Sequence, residues 1–127
     1  MEQDIKTLGT GALAFVGDAV YSLFVREKLA EINRPAGALH SLSVNYVRAG
    51  AQAKVAAALL GQLTEQELAV FKRGRNLHTG NTPKNATDAE YHTATGLEAL
   101  FGYLQLSGNA ARARQLFEAA WQLQNSK

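Results

Sequence analysis

Two carboxylates stand apart from every other charge around them. From Thr7 to Val25 the only charged side chain is Asp18, inside FVGDAVYSLF. Between Glu90 and Arg112 the only one is Glu98, inside ATGLEALFGYLQL. A carboxylate in a stretch that reads as buried helix is rarely left without a partner, because taking it out of water is costly. Each acid alone is accounted for by a hydrogen bond to backbone or solvent at a helix edge. Two of them in matching surroundings, eighty residues apart, point to one shared purpose. If they converge they repel, unless a proton or a metal ion neutralises them. Hard divalent cations such as Mg²⁺ take one or two carboxylates and complete their shell with water and substrate phosphate. Asp18 and Glu98 are therefore candidate metal ligands, and candidate catalytic residues toward a substrate that carries phosphate.

A second feature is basic. Lys72, Arg73, Arg75 and Lys84 cluster with His78 between them, and no Asp or Glu lies between Glu67 and Asp88. The segments KRGRN and TPKN add Asn76 and Asn85, together with Gly and Thr groups able to donate to phosphate oxygens. One reading is a solvated loop after a helix whose C-terminal dipole favours cations. The other is a nucleic-acid contact made by these six residues. No aromatic is interleaved here, so stacking on single-stranded bases is not indicated. Binding to the backbone of a duplex fits better, and RNA duplexes are read mainly by shape, phosphate and 2′-hydroxyl contacts.

The elements that must position these residues read as helices nearly throughout. Residues 8–31 form the first, with Leu13, Val16, Val20 and Leu23 on one face and Ala14, Tyr21 and Val25 making the other apolar too. Apolar all round, it is expected to be central and packed on several sides. Asn33-Arg34-Pro35 ends it. Residues 36–61 read as one helix or a broken pair. Thr64-Glu65-Gln66-Glu67 and Thr87-Asp88-Ala89-Glu90 have capping-box form and open helices to about Asn76 and Ser107, the latter stopped by Gly108. The last helix spans about Asn109 to Gln124, where Trp121 reads as core or interface. Gly17 and Ala19 flank Asp18, and Gly96 and Ala99 flank Glu98; such small residues permit close helix packing or close approach of a substrate backbone.

Length and composition agree with one domain over residues 1–127, 46% hydrophobic and 19% charged. The net charge of +2 is too small to argue for nucleic acid by itself. The absence of cysteine excludes disulfides, thiolate metal sites and cysteine nucleophiles, and fits a reducing, cytoplasmic setting. No secretory leader or membrane span is read, no nucleophile elbow or glycine-rich phosphate loop occurs, and His40, His78 and His92 lack metal-ligand spacing.

LAFVGDAVYSLFVREKL resembles the signature helix of the ribonuclease III family, and ATGLEALFGYLQL resembles its second acidic helix. FKRGRN and TPKNAT are similar to the short Mini form of that family, and the likeness runs from about Leu13 to the final helix. The resemblance implies an all-α endonuclease domain, a homodimeric helical bundle that cuts double-stranded RNA with Mg²⁺, Mn²⁺ being an acceptable substitute. For the Mini form it implies maturation of the large-subunit (23S) rRNA precursor and products with 5′-phosphate and 3′-hydroxyl ends. A ribosomal protein that presents the RNA is a further candidate partner. Full-length members carry a glutamate four residues before the aspartate and another acid three residues before the second glutamate; here those positions are Ala14 and Thr95. The Mini form shares both losses, which leaves the number of metal ions open. The competing reading is a non-catalytic double-stranded-RNA-binding or ribosome-assembly protein on the same fold, which the retention of Asp18 and Glu98 argues against.

Overall fold

The computed structural model describes residues 7–77 and 82–125. Six α-helices follow one another: α1 (Thr10–Ala30), α2 (Ala36–Val47), α3 (Ala49–Leu59), α4 (Glu65–Arg75), α5 (Asp88–Leu106) and α6 (Ala110–Asn125), with a 3₁₀ turn at Leu60–Gln62. Among the described residues there is no strand, and no helix is long and apolar enough to cross a membrane.

The helix boundaries follow local chemistry. Thr64 and Thr87 each accept the amide of the residue three on, and Glu67 and Glu90 each return a carboxylate to the cap amide at 2.9 Å. Two otherwise unpaired amides are thereby satisfied at each start. Gly108, at φ 81°, turns the chain out of α5 in a conformation that a side chain would oppose. The 36–61 stretch proves to be a broken pair. Arg48 adopts an extended ψ of 153° between α2 and α3, and the side-chain amide of Gln52 donates to the Val47 carbonyl at 2.8 Å.

α5 is the centre of the bundle and packs against α1, α3, α4 and α6. Its Phe101 meets Tyr21 of α1 edge-on at 5.3 Å, and Phe117 of α6 meets Tyr21 at 5.6 Å and Phe24 at 5.2 Å. Such geometry sets ring edges against ring faces and adds to the burial itself. The α6 helix is also clamped by Arg112, which donates to both Glu67 oxygens at 2.8 and 2.9 Å and to the Gln62 carbonyl at 2.8 Å. Trp121 stacks on Tyr46 at 4.7 Å, joining α6 to α2.

α1 corrects the sequence reading. Leu13, Ala14, Gly17, Tyr21, Phe24, Val25 and Leu29 are buried, but Phe15 is 81% and Leu23 54% exposed. With Ala19, also exposed, they form a stripe at i, i+4 and i+8. The helix is therefore covered on one side only. Its low charge reflects a buried face plus an apolar face that this chain leaves open.

Candidate nuclease site

Asp18 and Glu98 converge because α1 and α5 cross with almost no separation. A Cβ added at Gly17 would stand 2.5 Å from the Glu98 carbonyl carbon and 2.7 Å from the Gly102 nitrogen, closer still to the Glu98 oxygen. A Cβ added at Gly102 would stand 2.7 Å from the Leu13 carbonyl carbon. No side chain fits at either place, so the two backbones touch at the turn carrying the acids. Of the two readings for the glycine beside Asp18, helix packing is the one observed. Gly96 serves likewise toward α4: its Cβ would lie 2.7 Å from the Phe71 carbonyl oxygen, and that of Gly74 2.8 Å from the Gly96 Cα. Ala99 is buried at the same crossing, whereas Ala19 faces outward.

The carboxylates interact directly. Glu98 is pushed up to about 8, first by burial, then by the charge of Asp18 and a hydrogen bond shared with it; a hydrogen bond from Gln52 opposes the shift. Burial and the neighbouring like charge thus favour the neutral form of Glu98, as expected when acids meet without a cation. Asp18 itself is exposed and Glu98 half-buried, which corrects the expectation of two buried charges. Asp18 lies where the buried face of α1 turns into its open apolar stripe, and both acids line a cavity of about 220 Å³ with Ala14, Phe15, Leu77 and Thr95. On its other side Glu98 lines a cavity of about 430 Å³ with Arg48, Gln52, Asn85 and Thr95.

These donors fit a hard divalent cation. They are oxygens, they converge on one cavity, and their mutual repulsion is what a cation between them would relieve. Neither missing acid is replaced. Ala14 is buried and carries no donor, and the Thr95 hydroxyl donates to the Tyr91 carbonyl of its own helix at 2.9 Å. Among the described residues no group of three or more His, Cys, Asp or Glu gathers at one place, so these residues bring two carboxylates to the site and no third.

The basic residues sit around this pair. Lys72, Arg73 and Arg75 occupy the last turn of α4 and Asn76 its cap. The α4–α5 crossing at Gly74 and Gly96 sets that helix end beside the Glu98 turn, and Leu77, one residue past the cap, lines the Asp18 cavity. Arg73 donates to the Thr10 hydroxyl at the start of α1 (3.2 Å), and Arg75 lies 5.7 Å from the Phe71 ring centre. Lys84 and Asn85 are in an exposed turn closed by the Ala86 amide on the Pro83 carbonyl, and Asn85 opens onto the Glu98 cavity. Lys72 and Lys84 face solvent. His78, with Thr79, Gly80 and Asn81, lies outside the described residues. Sequence reasoning missed Gln52 and Arg48. Gln52 was visible as the one buried-type polar residue in AGAQAKVAAALL, by the same solitary-residue logic that singled out the acids.

Two acids brought together by crossing helices, with a basic helix end beside them, form the candidate site of an all-α domain. The ribonuclease III domain matches residues 11–109 of the chain. The Mini-ribonuclease 3 of a Thermoanaerobacter species is 41% identical over 123 residues, covering 96% of this chain and 87% of that protein. Those of Symbiobacterium thermophilum and Desulfitobacterium hafniense are 46% and 47% identical, covering 90% and 93% of this chain and 88% and 75% of theirs. A crystallised protein of Fusobacterium nucleatum superposes with a TM-score of 0.86 at 25% identity, over 97% of this chain and 99% of that one. The chain belongs to the ribonuclease III family, in its Mini-ribonuclease III branch, and is an endoribonuclease.

Proposed function

We propose that the protein cuts double-stranded RNA with Mg²⁺ at Asp18 and Glu98, and that its substrate is the large-subunit rRNA precursor. The observation that carries this is the meeting of two carboxylates, from helices eighty residues apart, on one cavity. Asp18 and Glu98 would hold the ion, with Mn²⁺ as a substitute; when bound it supplies a polarised water and neutralises charge at the scissile phosphate. The backbone crossing at Gly17 and Gly102 fixes both acids before substrate arrives, so little reorganisation is left for the reacting complex. Lys72, Arg73, Arg75, Asn76, Lys84 and Asn85 would grip phosphates on either side, which positions the duplex without reading its sequence.

The Phe15, Ala19 and Leu23 stripe supports a homodimer built on α1. It is apolar, it adjoins Asp18, and a two-fold axis across it would set two sites against two strands. A cytoplasmic enzyme working on ribosomal RNA suits a cysteine-free chain, and a ribosomal protein that shapes the precursor is a fitting partner for so small a basic surface.

The test is incubation of the purified protein with a perfect RNA duplex, the same strands unpaired, and a 23S precursor transcript, with Mg²⁺ and with chelator. The expected outcome is cleavage of paired RNA only with the metal, leaving 5′-phosphate and 3′-hydroxyl ends. Binding without cleavage in Mg²⁺ would favour the non-catalytic reading instead.

A further inference from the structure

We propose that Gln52 is a positioning residue of the nuclease site, its amide holding the Glu98 carboxylate in the orientation that receives the metal. The inference rests on the two-carboxylate reading above and extends it to α3. Gln52 is 1% exposed, and its neighbours on the buried face of α3 are Gly50, Ala51, Val55, Ala56 and Leu59. A polar side chain in such company needs a reason.

Its environment supplies one. The Nε2 group donates to the Val47 carbonyl at 2.8 Å, where the chain breaks between α2 and α3. The amide is therefore fixed to backbone at a rigid joint. The remaining capacity of the side chain turns to Glu98: the two residues line the same 430 Å³ cavity, and the nearby amide favours the charged carboxylate. Meanwhile Oε1 is buried with no protein partner among the described residues. The Val47 bond serves the fold through one N–H only, and the stranded acceptor costs about as much as that bond returns, so the fold alone does not account for the amide. What the amide provides is a donor aimed at one metal-site carboxylate. Second-layer donors of this kind orient ligands and tune their affinity. Where the described residues bring two carboxylates to a site, loss of orientation at one removes half of their hold.

The test measures Mn²⁺ binding directly, from the loss of the free-ion EPR signal, alongside the melting temperature. The proteins are wild type, Gln52→Met, Gln52→Asn, Val55→Ala and Asp18→Asn. Gln52→Met keeps the volume; Gln52→Asn, which shortens the reach, stands in if the Met variant does not fold. Val55, buried on the same helix, reports the effect of destabilising α3 alone. The expected result is a roughly tenfold or greater rise in the Mn²⁺ concentration for half-saturation in the folded Gln52 variants, with Val55→Ala binding as wild type despite its lower melting temperature. Wild-type Mn²⁺ binding by a folded Gln52 variant, or an equal loss in Val55→Ala, would overturn the assignment. Undiminished binding by Asp18→Asn would overturn the metal site itself, whereas loss there with normal Gln52 variants removes only the role of Gln52.

Discussion

Gly17→Ala isolates the contact on which the site geometry depends. The added methyl would lie 2.5 Å from the Glu98 carbonyl carbon and 2.7 Å from the Gly102 nitrogen, where ordinary contact begins at 3.4 Å. The obstructing atoms are backbone in the middle of α5, so no rotamer change relieves them. α1 and α5 must part by about 1 Å or more, since repulsion inside van der Waals contact rises steeply. Overpacking a core costs about 1–3 kcal/mol, and an unyielding backbone puts this case at the upper end. For a domain of this size that lowers the melting temperature by roughly 10 °C. A 1 Å displacement between reacting groups costs about 100-fold in rate, and Asp18 and Glu98 ride on the two separating helices. The assay pairs thermal melting with single-turnover cleavage of duplex RNA, run well below the melting point. Gly37→Ala is the control: the added methyl meets nothing within 4 Å, and a helical Gly→Ala change should raise stability by about 0.4–1 kcal/mol. Wild-type melting and cleavage in Gly17→Ala would refute the argument that this crossing sets the site.

Other perturbations separate stability from binding. Arg112→Met strands the buried Glu67 carboxylate and should cost about 3 kcal/mol at neutral pH. Glu67 is held below its ordinary value, chiefly by its hydrogen bond to Arg112, so its contribution is complete above the unfolded value and is lost as pH falls through the folded one. Urea titrations should therefore find the gap between wild type and Arg112→Met narrowing in acid; a constant gap would contradict it. Tyr21→Phe removes a hydroxyl that is buried without a partner among the described residues while keeping both ring contacts, so denaturation should show it as stable as wild type or up to about 2 kcal/mol more so. A loss of stability would mean that the hydroxyl has a partner. Replacing Arg73 and Arg75 by Ala should weaken duplex binding and reduce the slope of log affinity against log salt by about one for each phosphate no longer neutralised. An unchanged slope would remove both from the RNA surface.

Much of this arrangement was legible in the residues, and the failures have physical causes. The capping boxes at Thr64 and Thr87 and the stop at Gly108 marked their helices because those signals are local hydrogen bonds and backbone torsions. The joint at Arg48 could be narrowed only to a broken pair, since its extended conformation is stabilised by a side chain four residues away. Composition could not tell a buried apolar face from an open one, so α1 read as packed on several sides although Phe15 and Leu23 face outward. The acids stood out because a lone charge in an apolar run is conspicuous. Gln52 obeys the same logic but carries no charge, and its meaning appears only once α3 is packed beside Glu98. The basic cluster was readable as a cluster; its place beside the acids depends on the contact of Gly74 with Gly96.

The most direct measurement is the single-turnover rate of cleavage of a perfect RNA duplex as Mg²⁺ is titrated, for wild type, Asp18→Asn, Glu98→Gln and the double variant, each shown to be folded. Two ligands of one ion act as a unit, so each single change should abolish cleavage and the double variant should be no worse than either. Wild-type cleavage by either single variant, or cleavage by the wild type in chelator, would contradict the account.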